Sequence, residues 1–68
     1  MRRYTLAELE AQPTLCVGQV DNLKVETVTT RVWLSRCTVA DGEPYDNKVT
    51  IEELIEGCWV VTGHYQAT

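Results

Sequence analysis

The chain has 68 residues, six basic and ten acidic, and a formal net charge of −4. This length predicts one domain, residues 1–68, with a thin core, since small chains bury only about 60 % of their unfolded surface. The negative charge argues against direct binding to nucleic acid or to an anionic membrane, and the apolar runs are too short to span a bilayer. A soluble cytoplasmic protein is expected.

The N-terminal segment carries the signals of one short helix. Thr5 precedes Glu8 by three residues, the spacing of a capping box, in which each side chain accepts the other residue's backbone N–H. Pro13 pushes the residue before it out of helical geometry. We therefore predict a helix from Thr5 to Ala11, which must pack on a sheet because an isolated helix of this length is unstable.

The middle of the chain predicts strands. Leu15 to Val20 is expected to form the first strand, with Gly18 as a bulge or a site of close backbone approach. A turn at Asp21-Asn22 should follow. From Lys24 to Thr38 the chain is rich in Val and Thr and has no Gly or Pro, a composition typical of extended backbone. That segment can form two strands with a bend near Thr29-Thr30 or one strongly curved strand.

The section after it is rich in turn residues, and we predict a hairpin loop from Asp41 to Asp46. A strand then resumes at Lys48. Residues 50–57 allow two interpretations, because Thr50 and Glu53 have the spacing of a capping box and could begin a helix.

The alternative, which we favour, is a second hairpin. Its strand runs to Ile55, turns at Glu56-Gly57 and returns as Cys58 to Thr62, since X-Gly between two apolar runs is a strong hairpin signal. Gly63 to Thr68 is expected to fray. A tight turn would pair Ile55 with Cys58, Glu53 with Val60 and Leu54 with Trp59.

These elements predict a mainly β, α+β fold, in which an antiparallel sheet of four to five strands carries one short N-terminal helix. Such a sheet can curl into an SH3-like barrel or stay open. An open sheet exposes an edge strand, which is a route to a homodimer or to pairing with a partner's strand.

The three cysteines are Cys16, Cys37 and Cys58, and an odd number without a secretion signal predicts reduced thiols. Structural zinc sites usually contain ligand pairs two to four residues apart, and the sequence has none, so no metal or cofactor is expected. Cys58 with His64 as base would make a small enzyme or metal protein. We keep this as an alternative to a non-enzymatic protein.

Candidate binding residues fall into two classes. Acidic side chains cluster in the two predicted hairpins and could form a face for a basic protein. Arg31 and Trp33 share strand parity, so they should project to one side. Trp33 is expected either in the core, which we favour, or in a contact surface, because Arg and Trp are the commonest interface hot spots. The predicted binding residues are Glu43, Tyr45, Asp46, Glu52, Glu53, Glu56, Arg31 and Trp33.

One segment of the chain supports a resemblance to known proteins. It runs from Arg31-Val32-Trp33-Leu34-Ser35-Arg36 through Asp41-Gly42, Pro44-Tyr45-Asp46-Asn47, Val49 and Glu52 to Gly57 and Trp59. In this segment the chain resembles small proteins encoded by phages and mobile elements, of the anti-CRISPR or anti-defence type. The resemblance implies a stoichiometric inhibitor in the host cytoplasm, and it transfers no role to any single residue.

The expected function is therefore a non-enzymatic binding protein that occludes a site on a larger protein or complex. A homo-oligomeric assembly protein of a phage or mobile element is the second hypothesis, and a small Cys/His enzyme or metal protein is the third.

Overall fold

The computed structural model describes residues 3–35, 39–40, 43–44 and 47–68. The elements are α1 (Leu6–Ala11), β1 (Cys16–Val17), β2 (Asp21–Glu26), β3 (Thr30–Ser35), β4 (Val39–Ala40), β5 (Glu43–Pro44), β6 (Lys48–Ile55) and β7 (Cys58–Gln66). Five strands form one antiparallel sheet in the order β1-β2-β3-β6-β7, and β4 pairs with β5 as a separate two-stranded ladder. The fold is mainly β with one short helix, as predicted.

Helix α1 begins with the predicted capping box. The Thr5 hydroxyl accepts the Glu8 N–H at 3.1 Å, and the Glu8 carboxylate accepts the Thr5 N–H at 3.0 Å. Leu9 is fully buried against the sheet, which supplies the stability that one and a half turns lack on their own. Over the described ranges, no helix combines the length and apolar character that crossing a membrane requires.

The core lies between α1 and one face of the sheet. Strand alternation directs Val32 and Leu34 of β3 to this face, opposite Ile51 and Val49 of β6 respectively. Leu9 completes the contact from the helix. Partly buried side chains pack around this cluster, namely Tyr4, Leu6, Val25 and Tyr65.

The sheet is open. β1 and β7 lie at opposite ends of the strand order, so the sheet does not close on itself as a barrel would. The SH3-like alternative is not confirmed. β1 has only two residues, which leaves little backbone for a closing ladder.

The predicted first strand and first turn are both wrong in position. Only Cys16–Val17 of the predicted strand is extended in the sheet, and Asp21-Asn22 begins β2 instead of forming a turn. The reversal comes earlier, where the Gly18 N–H donates to the Asp21 carbonyl at 2.8 Å. A Cβ at Gly18 would lie 2.8 Å from that same oxygen, so this tight turn requires glycine.

The long β-rich segment forms two strands with a turn between them, the first of the two predicted possibilities. The Thr27 hydroxyl accepts the N–H groups of Thr29 and Thr30 at 3.3 and 3.0 Å. The Thr27 N–H also donates to the Thr30 carbonyl at 2.8 Å. One threonine therefore organises the bend between β2 and β3.

The second predicted hairpin is confirmed, and the helical alternative for residues 50–57 is wrong. Glu56 and Gly57 have positive φ values of 51° and 81°, the signature of a type I′ turn. The pairing has the predicted register, with Ile55 opposite Cys58, Glu53 opposite Val60 and Leu54 opposite Trp59.

The predicted loop from Asp41 to Asp46 is interrupted, because Glu43–Pro44 pairs as β5 with Val39–Ala40. The rest of that predicted loop lies outside the described residues.

The C-terminus is ordered, contrary to the predicted fraying. β7 continues to Gln66, and Ala67 is buried with its N–H donating to the Asn47 carbonyl at 2.6 Å. The Leu6 N–H donates to the Thr68 carbonyl at 3.1 Å. These bonds join the end of the chain to the start of α1, so the last residues are part of the fold.

Candidate functional site

The face of the five-stranded sheet opposite α1 has no helix over it in the described structure, and we call it the open face. Residues paired across an antiparallel ladder share a face. Val32 and Leu34 point to α1, so Arg31 and Trp33, which alternate with them along β3, point the other way. The residues that pair with Arg31 and Trp33 on β2 and β6 lie on the same side, and so do the β7 partners of those β6 residues. The open face includes Asp21, Leu23, Glu26, Arg31, Trp33, Ser35, Thr50, Glu52, Leu54, Trp59, Val61 and His64.

Arg31 holds one end of the open face together. Its guanidinium lies 4.0 Å from the centre of the Trp59 ring, and its Nε is 3.0 Å from the Glu26 carboxylate. Arg31 and Trp59 belong to β3 and β7, so this contact spans the intervening strand β6. Exposed contacts of both kinds contribute only about 0–1 kcal/mol, so their main effect is to orient the indole.

The side chain of Trp33 is held by the carboxylate of Glu52. Its indole Nε1–H donates to the Glu52 carboxylate at 2.6 Å, and both side chains are half-buried. Leu23, the cross-strand neighbour of Trp33, is buried although it lies outside the core cluster beneath α1. The open face thus has a thin apolar layer of its own, with an ordered indole at its centre.

A groove of about 370 Å³ adjoins this indole. Its walls include the carboxylates of Asp21 and Glu52, and no basic side chain lines it in the described part of the chain. A groove of this character suits an apolar or cationic group from another molecule. Its lining residues are Gly18, Gln19, Val20, Asp21, Trp33, Thr50, Glu52 and Val61.

The structure brings together three of the predicted binding residues. Arg31, Trp33 and Glu52 share the open face, as strand parity predicts for the first two. Glu53 projects to the side of α1, where it accepts a hydrogen bond from the Thr62 hydroxyl at 2.8 Å. Glu56 lies in the exposed type I′ turn. The three glutamates therefore do not form one surface.

The other three predicted binding residues cannot be assigned to a face. Glu43 has a described backbone in β5, whereas Tyr45 and Asp46 lie outside the described residues.

The prediction missed the contribution of Trp59 and its neighbours to the open face. The signal was present in the hairpin register, because pairing Leu54 with Trp59 puts both on one side of the sheet. Alternation from Trp59 then adds Val61, which is 55% exposed.

The two described cysteines are exposed, and Cys58 does not meet His64. Cys58 pairs with Ile55 on the helix side of β7, whereas His64 pairs with Thr50 on the open face. Six residues of extended strand separate them by about 20 Å. Among the residues whose placement is described, no three His, Cys, Asp or Glu side chains converge as metal ligands.

Comparisons with known proteins find no match for this chain among family models, curated proteins or solved structures. The function must therefore be inferred from the chemistry of the chain itself.

Proposed function

We propose that the chain is a non-enzymatic binding protein that docks through its open face on a larger protein and occludes a site there. The observation that carries this proposal is the arrangement of Trp33 and Trp59 on a sheet face that α1 leaves uncovered. An apolar patch rimmed by charged groups is the usual composition of a protein-binding surface.

The fixed positions of the Trp33 and Trp59 side chains favour tight docking. Trp and Arg dominate the binding energy of interfaces when they sit centrally, and a ring already held in place loses little entropy on binding. Trp33 is held by Glu52 and Trp59 by Arg31. The open face is therefore preorganised as an anchor.

The charge of the chain suggests the chemistry of the partner. The chain carries −4 overall, and the open face with its groove presents the carboxylates of Glu26, Glu52 and Asp21. A partner with a basic surface would be attracted at long range, which raises the rate of encounter more than the final affinity. We therefore propose a basic docking site on the partner.

A stoichiometric inhibitor of a host defence complex is the class of function that fits these properties. The chain is small, negatively charged and equipped with one aromatic docking face, which suffices to block a basic site without chemistry. The proposal in this specific form rests on the resemblance of residues 31–59 described above and on the character of the open face.

Capture from a bacterial lysate tests the docking. Immobilised wild-type chain should retain a discrete protein, the Trp59→Ala variant should lose it, and Val28→Ala should retain it. Val28 is the matched control because it is 86% exposed in the turn between β2 and β3, away from the open face. Equal capture by Trp59→Ala and wild type would contradict the proposal.

Two matched variants test the proposed electrostatic attraction to the partner. Glu52→Gln removes a charge from the open face while keeping an oxygen for the Trp33 indole, and Glu53→Gln removes a charge from the opposite face. Only Glu52→Gln should slow association with the captured protein. Equal association rates for both variants would contradict the proposed electrostatic attraction. They would not bear on the proposed contact through Trp33 and Trp59.

A further inference from the structure

Strand β7 is an unprotected sheet edge. Among the described strands it is hydrogen-bonded only to β6, and its nine residues include no charged side chain and no proline. Val60 and Val61 are 42% and 55% exposed. Natural edge strands are usually short or carry Lys or Pro to prevent pairing with another chain. β1 at the other edge is short, but the first half of β7 has no such protection.

The type I′ turn determines which backbone groups of β7 point outward. In a two-residue hairpin, the residues that flank the turn exchange both hydrogen bonds across the ladder. Cys58 and then Val60 therefore direct their N–H and C=O groups to β6. Trp59 and Val61 direct theirs away from the sheet, to a side on which no described strand pairs with β7.

We propose that a second copy of this chain pairs with β7 in antiparallel orientation, with the twofold axis passing beside Val60. In this register Val60 faces Val60 of the second copy, and Trp59 faces Val61 of the second copy. The outward groups of Trp59 and Val61 then form two N–H···O bonds in each of two symmetry-related pairs, four in all.

The side chains agree with this register. Trp59 and Val61 both project to the open face, so each indole meets a valine across the axis. The two Val60 side chains meet on the helix side. The pairing ends naturally near Thr62, where the ladder between β6 and β7 is irregular and Val61 and Gly63 face consecutive residues of β6.

The net charge of −4 on each chain does not prevent two copies from pairing through β7. The paired segment, Cys58 to Thr62, has no charged residue. The nearest acids in the ladder are the two Glu53 residues, which would lie three strand spacings apart, or about 14 Å. That distance exceeds the Debye length of about 8 Å at physiological salt, so their repulsion is weak.

The dimer would be one continuous ten-stranded sheet. Because the axis is perpendicular to the sheet, both open faces lie on the same side, and a partner with two docking sites could bind them together. Trp59 and Val61 belong both to this pairing and to the open face, whereas Val60 on the helix side belongs to the pairing alone. Substitutions at Val60 therefore test the dimer separately from the proposed docking.

Sedimentation equilibrium of the full chain under reducing conditions tests the pairing, and reduction keeps the exposed Cys58 from forming a disulfide. Wild type should show a reversible monomer–dimer equilibrium. Val60→Lys and Val60→Glu should each weaken association about tenfold or more, because like charges then face each other at the axis. An equimolar mixture of the two variants should restore association. The control variant Val28→Lys should behave as wild type.

Three results would overturn the proposal: a wild-type chain that stays monomeric over the whole concentration range, a Val60→Lys variant that associates like wild type, or a mixture that associates no better than either variant alone. Far-ultraviolet dichroism and melting curves verify that each variant is folded. Loss of dimerisation in Val60→Lys with unchanged capture of the lysate protein would separate this interface from the open face.

Discussion

Removal of one hydroxyl group should measure how firmly the two ends of the chain are joined. The Tyr65 hydroxyl accepts the Tyr4 N–H at 2.6 Å and donates to the Tyr4 carbonyl at 3.0 Å, in a partly buried position. Tyr65→Phe keeps the ring, which packs against the core cluster, and deletes both bonds. The substitution therefore isolates the hydrogen bonds from the packing.

The expected loss is about 2 kcal/mol of unfolding free energy. Each intramolecular hydrogen bond contributes about 0.5–1.5 kcal/mol net, and two are lost together. A chain of this size has a total stability of only about 3–10 kcal/mol, so the loss is a large share of it. In a thermal melt it corresponds to a decrease in Tm of about 8–16 °C.

Urea and thermal unfolding followed by circular dichroism would provide the measurement. Thr62→Val is the matched control, because it also deletes a hydroxyl from β7, but one that bonds an exposed carboxylate. The control should change stability by no more than about 0.5 kcal/mol. If Tyr65→Phe behaves like the control, the contact between Tyr65 and Tyr4 does not stabilise the fold, and our account of the ordered C-terminus is wrong.

Two further substitutions test the turns. Gly18→Ala should destabilise the chain by about 1–3 kcal/mol in urea unfolding, because the added Cβ would lie 2.8 Å from the Asp21 carbonyl oxygen; an unchanged midpoint would show that this turn opens without cost. Glu56→Asn should raise the unfolding free energy by about 0.5–1 kcal/mol, because Glu56 has a φ of 51° and Asn tolerates left-handed geometry better. A lower Tm for Glu56→Asn would argue against the type I′ assignment.

Local signals were sufficient to predict several elements. The capping box of Thr5 and Glu8 and the Glu56-Gly57 turn each act over a few residues, so their geometry can be derived without tertiary information. The turn then determines the register of the last hairpin. Strand parity likewise put Arg31 and Trp33 on one side, and the structure agrees.

Other features depended on contacts that no local pattern contains. The C-terminal residues are ordered by a bond between Tyr65 and Tyr4, which lie 61 positions apart in sequence. Gly18 lies in a turn instead of the predicted first strand. The close backbone approach expected at this glycine is present, since a Cβ there would lie 2.8 Å from the Asp21 carbonyl oxygen. The predicted acidic surface grouped Glu52 and Glu53 by composition, although alternation along a strand separates adjacent side chains.

The most direct test of the docking proposal is the NMR footprint of the captured protein on this chain. The chain contains two tryptophans, so two indole N–H signals report on the open face. If the open face docks on the captured protein, both indole signals and the backbone amides of Arg31 and Glu52 shift on binding, whereas the amide of Leu9 in α1 does not. Shifts confined to α1 and to the helix side of the sheet, with both indole signals unmoved, would contradict it.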